Sequence, residues 1–232
     1  MSVRQIVLDT ETTGLDWRRG DRVIEVACVE MVGRKLTGRH FHRYVNPERD
    51  IDAGAQAVHG LTVEFLADKP RFAEIADELI DFIQDGELVI HNASFDVGFL
   101  NYEFSLLDKG VIDRLCAGVV DSLRMARELR PGKKNNLDAL CSEYGIDNSG
   151  RQLHGALLDA ELLAEVYLAM TRGQESLVME LDEPSQMAGA LALSNRPPLR
   201  VVRASEAECV DHARVLEEIQ KASGGKCMWA AE

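Results

Sequence analysis

A chain of 232 residues, 46% hydrophobic and 28% charged, is long enough for one sizeable core plus an appendage and has the composition of an ordinary globular protein. No apolar run approaches the length that spans a bilayer, Met1-Ser2-Val3-Arg4 opens no secretory leader, and five cysteines without a C-x-x-C pair fit neither a disulfide framework nor a zinc site. The net charge of −13 argues against a nucleic acid held by lysine and arginine alone, and the expected setting is the cytoplasm, with no membrane partner.

In chain order, "VRQIVLD" reads as a buried first strand, and "RVIEVACVEMV" and "KLTGRHFHRYV" as two more joined by a Gly33-Arg34 turn. A loop containing "AVHGLT" follows Asn46-Pro47. After Pro70 the apolar spacing of Phe72, Ile75, Ala76, Leu79 and Ile83 predicts a helix. "ELVIHN" is a fourth strand and "SFDVGFLNYEFSLL" a helix. "GVVDSLRMAREL" is a fifth strand running into a helix, "NNLDALCSEYG" is a short helix stopped by Gly145, and "GALLDAELLAEVYLAM" is a long one. Three antiparallel strands followed by alternating helices and strands predict an α/β fold, a mixed five-stranded sheet flanked by helices.

Three regions are expected: an α/β domain over residues 1–172, a linker over 173–198 and a small C-terminal tail over 199–232. The linker carries the small residues and prolines of "EPSQMAGALALSNRPPL". The tail reads as a short strand and a helix, with Ser205 and Glu208 as a capping box and Gly224-Gly225 as its stop.

Four acids and a histidine stand out. Residues two apart in a strand face one side, so Asp9 and Glu11 of "IVLDTETTGL" project together where the first strand ends. Two like charges side by side repel unless a cation lies between them. Asp96 falls in the first turn of a helix. Asp159 shares an apolar helix face with Leu163, Val166 and Met170, where a lone carboxylate is costly to bury. His154 can converge on Asp159 only from the loop before that helix, because five helical steps place the two on different faces. Singly, each has an ordinary explanation: turn chemistry for Asp9 and Glu11, the helix dipole for Asp96, a stripe's solvent end for Asp159, a bystander for His154. Together they match a site for two metal ions and a general base.

With these residues in view, "DTETTG", "HNASFDVGF" and "HGALLDA" resemble the three exonuclease motifs of the DEDD superfamily of 3′→5′ exonucleases, in the subgroup with histidine in the third motif. The likeness covers roughly residues 5 to 170 and is strongest to the proofreading subunits of bacterial replicative polymerases. It implies an RNase H-like fold and two Mg²⁺ or Mn²⁺ ions. Asp9 would bridge both ions, Glu11 and Asp159 would hold the one that carries the attacking water, and Asp96 would serve the second through a water. His154 would take the proton. Asp9, Glu11 and Asp159 would also meet the substrate. His59 would contact the terminal nucleotide with Gly54 in the same loop, although "DAGAQA" departs from the acidic residue expected there. The implied partners are a DNA 3′ terminus, the polymerase's catalytic subunit through the tail, the sliding clamp through Gln174–Met179 ("QESLVM"), and a small accessory subunit. An RNA-trimming exonuclease of the same superfamily shares all five residues but usually ends near the last helix, whereas about 60 further residues follow here; an interaction module with a vestigial catalytic site is the third reading, and the five intact positions speak against it.

Overall fold

A computed structural model of the chain describes residues 3–151, 153–172, 204–224 and Trp229. It divides into two units, 1–177 and 178–232. The larger unit is built on β1 (Arg4–Thr12), β2 (Val23–Val32), β3 (Lys35–Tyr44), β4 (Glu87–Ile90) and β5 (Gly118–Asp121), ordered β3-β2-β1-β4-β5. β1 is antiparallel to β2 and parallel to β4, β2 is antiparallel to β3, and β4 is parallel to β5. This is the mixed five-stranded sheet the strand pattern predicts.

The two faces of β1 bury different layers. Ile6 and Leu8 join Val26, Cys28, Leu88 and Ile90 against α3 (Phe72–Ile83) and α4 (Ala93–Ser105), which contribute Phe72, Ile75, Leu79, Phe99 and Phe104. Val7 joins Val29, Met31 and Val89 against α6 (Ser122–Leu129), α7 (Leu137–Tyr144) and α8 (Ala156–Met170), through Ala126, Leu140, Leu163 and Val166. Each fully buried Leu, Ile or Phe stabilises the fold by about 1.5–3 kcal/mol. Strand alternation therefore sends the even residues of β1 toward α3 and α4, and the odd residues toward α8.

Three local features differ from the sequence expectation. β1 runs on to Thr12, because β2 keeps pairing with it while β4 pairs only from Gln5 to Leu8. Asp9 and Glu11 thus stand on a strand that outruns its parallel neighbour. The region expected as a loop holds α1 (Ala53–His59), stopped by Gly60 at φ 72°, and α2 (Val63–Leu66), capped by Thr62. Such short helices carry no readable periodicity and are held by outside contacts, among them the hydrogen bond from the Asp52 amide to the Thr13 carbonyl. A further turn of helix, α5 (Ile112–Leu115), precedes β5.

Glycine at position 98 of α4 lets the Trp17 ring approach the helix backbone, where a Cβ would collide with it. Glu103, 1% exposed, is gripped at 2.7 Å by both Nε and Nη2 of Arg22 and accepts the Val23 amide, which ties α4 to the start of β2.

In the smaller unit, α9 (Glu206–Ala222) is closed by the expected capping box: the Glu208 amide donates to Ser205 Oγ and the Ser205 amide to Glu208 Oε2. None of its residues is buried. The strand expected before it, the linker and Gln174–Met179 lie outside the described residues. No described helix is long and apolar enough to cross a membrane.

Candidate active site

The carboxyl ends of β1 and β4 open into a cavity of about 480 Å³ lined by Asp9, Glu11, Asp96, His154 and Asp159, and also by Thr10, His91, Asn92, Asp138 and Arg151. All five residues singled out by the sequence therefore reach one space. Ligand atoms of Glu11, His154 and Asp159 lie within 4.8 Å of one another.

Each group arrives by a different route. Asp9 and Glu11 continue the odd face of β1 and so look toward α8, whose first turn carries Asp159, 4% exposed. Gly155 is the N-cap of α8, which leaves His154 in the preceding segment; its Nδ1 lies 3.4 Å from Asp159 Oδ2. Asp96 comes from the opposite layer. Left-handed Asn92 (φ 69°) turns the chain from β4 into α4, and the Asp96 carboxylate accepts a 2.7 Å hydrogen bond from the Thr10 hydroxyl on the even face of β1. It meets the other acids beyond Ile90, the last residue of β4 that pairs with β1.

The acids oppose one another. Burial, then the charges of Asp96, Glu11 and Asp159, push the Asp9 carboxyl well above the usual range. Burial, then Glu25, Asp159 and Asp96, raise Glu11 to about 8, with Arg151 acting in the other direction. Burial raises Asp96 to about 7 against the Thr10 hydrogen bond. Such clustering of mutually raised carboxyls leaves a demand for positive charge, and an all-oxygen set with one imidazole suits a hard divalent cation such as Mg²⁺ or Mn²⁺.

The sequence reading did not single out two contributors. Glu25, 2% exposed, stands directly across from Glu11 in the antiparallel register and is held by His42 Nε2 at 2.7 Å. A lone acid inside the apolar run "VIEVAC" was its only signal. Arg151 grips both oxygens of Asp159 at 2.6 Å, and no periodicity marks it.

A second cavity of about 410 Å³ adjoins the first and shares Thr10, Glu11, Leu15 and Phe95 with it. Thr12, Gly14, Asp52, Gly54, Ala55, Val58 and His59 complete its wall. The His59 ring is 5% exposed; Nδ1 accepts the Leu61 amide at 3.0 Å and Nε2 has no hydrogen-bond partner among the described residues. Burial lowers its pKa, against the opposing charge of Glu25.

Residues 6–167 match the RNase_T family, described as exonuclease. The chain is 51% identical over 239 residues to the DNA polymerase III subunit epsilon of Escherichia coli K12, covering 98% of each chain. It is 55% identical over 183 residues to that of Rickettsia felis, covering 78% and 80%. Among solved structures it resembles exonuclease X in complex with 5′ overhanging duplex DNA, with a TM-score of 0.57, 27% identity and coverage of 73% and 92%. It shares its fold with a zinc-bound Escherichia coli exonuclease I–single-stranded DNA complex, with a TM-score of 0.66, 19% identity and coverage of 74% and 41%. A match of this identity along almost the whole length of both chains places the protein in the family of DNA polymerase III epsilon subunits, within the exonucleases.

Proposed function

We propose that the chain is the proofreading 3′→5′ exonuclease of a bacterial DNA polymerase III, removing mispaired 3′-terminal nucleotides by hydrolysis. The observation that carries this reading is the convergence of four carboxylates and a histidine in one cavity of a chain related to epsilon subunits over its full length. Relatedness that extends through the tail favours the polymerase subunit over an RNA-trimming enzyme.

Asp9, Glu11, Asp96 and Asp159 would hold two Mg²⁺ or Mn²⁺ ions. Bound there, the ions supply a polarised phosphoryl group, an activated water and a stabilised leaving oxygen. The protein's own residues do the rest. Thr10 fixes the Asp96 carboxylate from the far side of β1. His154, with a half-exposed side chain at the rim, removes a proton from the attacking water and passes it to solvent. Gly54 and His59 receive the terminal nucleotide in the adjoining cavity, with Leu15 and Phe95 as apolar surfaces at the boundary. An acidic protein grips a phosphate this way through metal rather than lysine, which reconciles its net charge of −13 with a DNA substrate.

Residues 199–232 would bind the polymerase III catalytic (alpha) subunit. Within α9, Val210, Val215 and Ile219 are exposed, as is Trp229, and a segment this short cannot enclose a core of its own. Gln174–Met179 would engage the sliding clamp as a weaker, tethered contact, and a small accessory subunit would bind the catalytic domain.

Digestion of single-stranded, paired and 3′-mispaired DNA, with and without chelator, tests the activity. Mispaired ends are expected to be cut faster, since a paired terminus must first unstack at about a few kcal/mol. Equal rates on both ends would remove the proofreading function, and activity after full chelation would remove the metal ions. Truncation after Asp182 tests the tail: nuclease activity on free DNA should persist while co-purification with the alpha subunit is lost.

A further inference from the structure

Resting on the two-ion reading of this cavity, we propose that Arg151 is the resident cation of the metal-free site, exchanged for a divalent ion at Asp159, and that this exchange also releases His154. Among the described residues Arg151 is the only lysine or arginine lining the cavity, and its side chain is 6% exposed. Its Nε donates to Asp159 Oδ1 and its Nη2 to Oδ2, both at 2.6 Å. The two oxygens that an ion at Asp159 requires are therefore already taken by a planar, permanently charged fork.

The same Nη2 lies 2.9 Å from His154 Nδ1. A guanidinium has donors only, so Nδ1 must be the acceptor, and the hydrogen of the neutral ring then sits on Nε2. In this arrangement His154 has no free lone pair with which to accept a proton from water. The longer 3.4 Å separation of Nδ1 from Asp159 Oδ2 does not compete with the arginine contact. Arg151 thus covers a metal ligand and the general base with one group.

A third arm shows where the arginine stays after exchange. Nη1 donates to Asp138 Oδ1 at 2.7 Å, and Asn148 Nδ2 steadies that oxygen at 3.1 Å. Asp138 stands in the first turn of α7, and its side chain is half exposed. Arg151 can give up Asp159 and His154 and remain paired. Loading the site is then a swap of cations, and the cluster is never left without positive charge.

The test is Mn²⁺ binding to the full chain, measured by calorimetry and by the electron-spin signal of free Mn²⁺, for wild type, R151Q and R151K. Freed from competition with a charge-assisted pair, R151Q should bind its first Mn²⁺ on the order of tenfold more tightly, equivalent to about 1.4 kcal/mol. Its metal-free Tm should fall and its Mn²⁺-induced rise in Tm should grow, because Asp159 loses its bidentate partner. R151K, charged but without the fork, should lie between. Unchanged or weaker Mn²⁺ affinity in folded R151Q would overturn the exchange and leave Arg151 a structural clamp. Should R151Q fail to fold, affinity in R151K at or below wild type would do the same. Wild-type protein that bound no Mn²⁺ would instead overturn the two-ion reading beneath it.

Discussion

Glu30 and Glu11 lie on the two adjacent central strands, toward opposite ends of the sheet. They are 3% and 9% exposed, and their pKa values move in opposite directions. Burial raises both. For Glu30, the hydrogen bonds of Arg4 and Thr37 and the charges of Arg4 and Arg39 outweigh it and hold the carboxyl below its usual value. Arg4 Nε lies 2.7 Å away, Thr37 Oγ1 2.8 Å and Arg39 Nη1 2.9 Å. For Glu11 the neighbours that matter are Glu25, Asp159 and Asp96, and the pKa rises to about 8. One end of the sheet brings its own cations and is finished on folding. The other end is short of cations, and that shortage is what supports the proposed binding of an outside cation and a phosphate there.

The largest expected effect comes from removing an acid at the deficient end. Asp9→Ala should lower exonuclease activity on the order of 10³-fold or more, the scale of several kcal/mol of transition-state stabilisation by bound metal. The domain should remain folded, with metal-free stability equal to or above wild type, because one of several repelling charges is gone. A destabilised, unfolded variant would show that Asp9 belongs with Glu30 as a structural acid.

His154→Ala should lower the rate about 10² to 10⁴-fold, the range for a general base. Mn²⁺ binding should be nearly intact, since oxygen ligands remain. A pH–rate profile identical to wild type would show that the proton goes elsewhere.

At the satisfied end the readout changes from rate to stability. Replacing Arg4 and Arg39 together by methionine strands the buried Glu30 and should cost about 3–5 kcal/mol of unfolding free energy. Specific activity of the folded fraction should be unchanged at low temperature. Loss of activity without loss of stability would erase the distinction between the two ends.

The smallest effect, and the one that reads both ends at once, is pH. Glu11 binds its proton more tightly in the folded state, so its contribution to stability is complete below its usual 4.5 and is lost as pH rises toward about 8. Glu30 has the opposite sign: its contribution is present above its usual value and is lost as pH falls through its lowered one. In the presence of chelator, the Tm should therefore decline between about pH 5 and 8. Saturating Mg²⁺ should flatten that decline, and Asp9→Ala should reduce it. A decline that magnesium leaves untouched would place the responsible groups outside the cavity.

Much of this site was legible in the residues because it rests on local periodicity. The two-residue repeat of an extended chain puts Asp9 and Glu11 on one side wherever the strand lies. The helical repeat puts Asp159 on the buried stripe of α8, and His154 had to precede that helix for the two to meet. The sequence determined that these side chains would be paired in this way. Other features depended on which segments lie beside one another, which no local repeat encodes. β1 outruns β4, so Asp96 can come round from the opposite layer, steadied by Thr10. The antiparallel register sets Glu25 against Glu11. The turn before α8 lays Arg151 across Asp159 and His154. Register, strand length and loop path are settled by packing between residues far apart in the chain, and through them only the tertiary structure decided how much positive charge each end of the sheet would have.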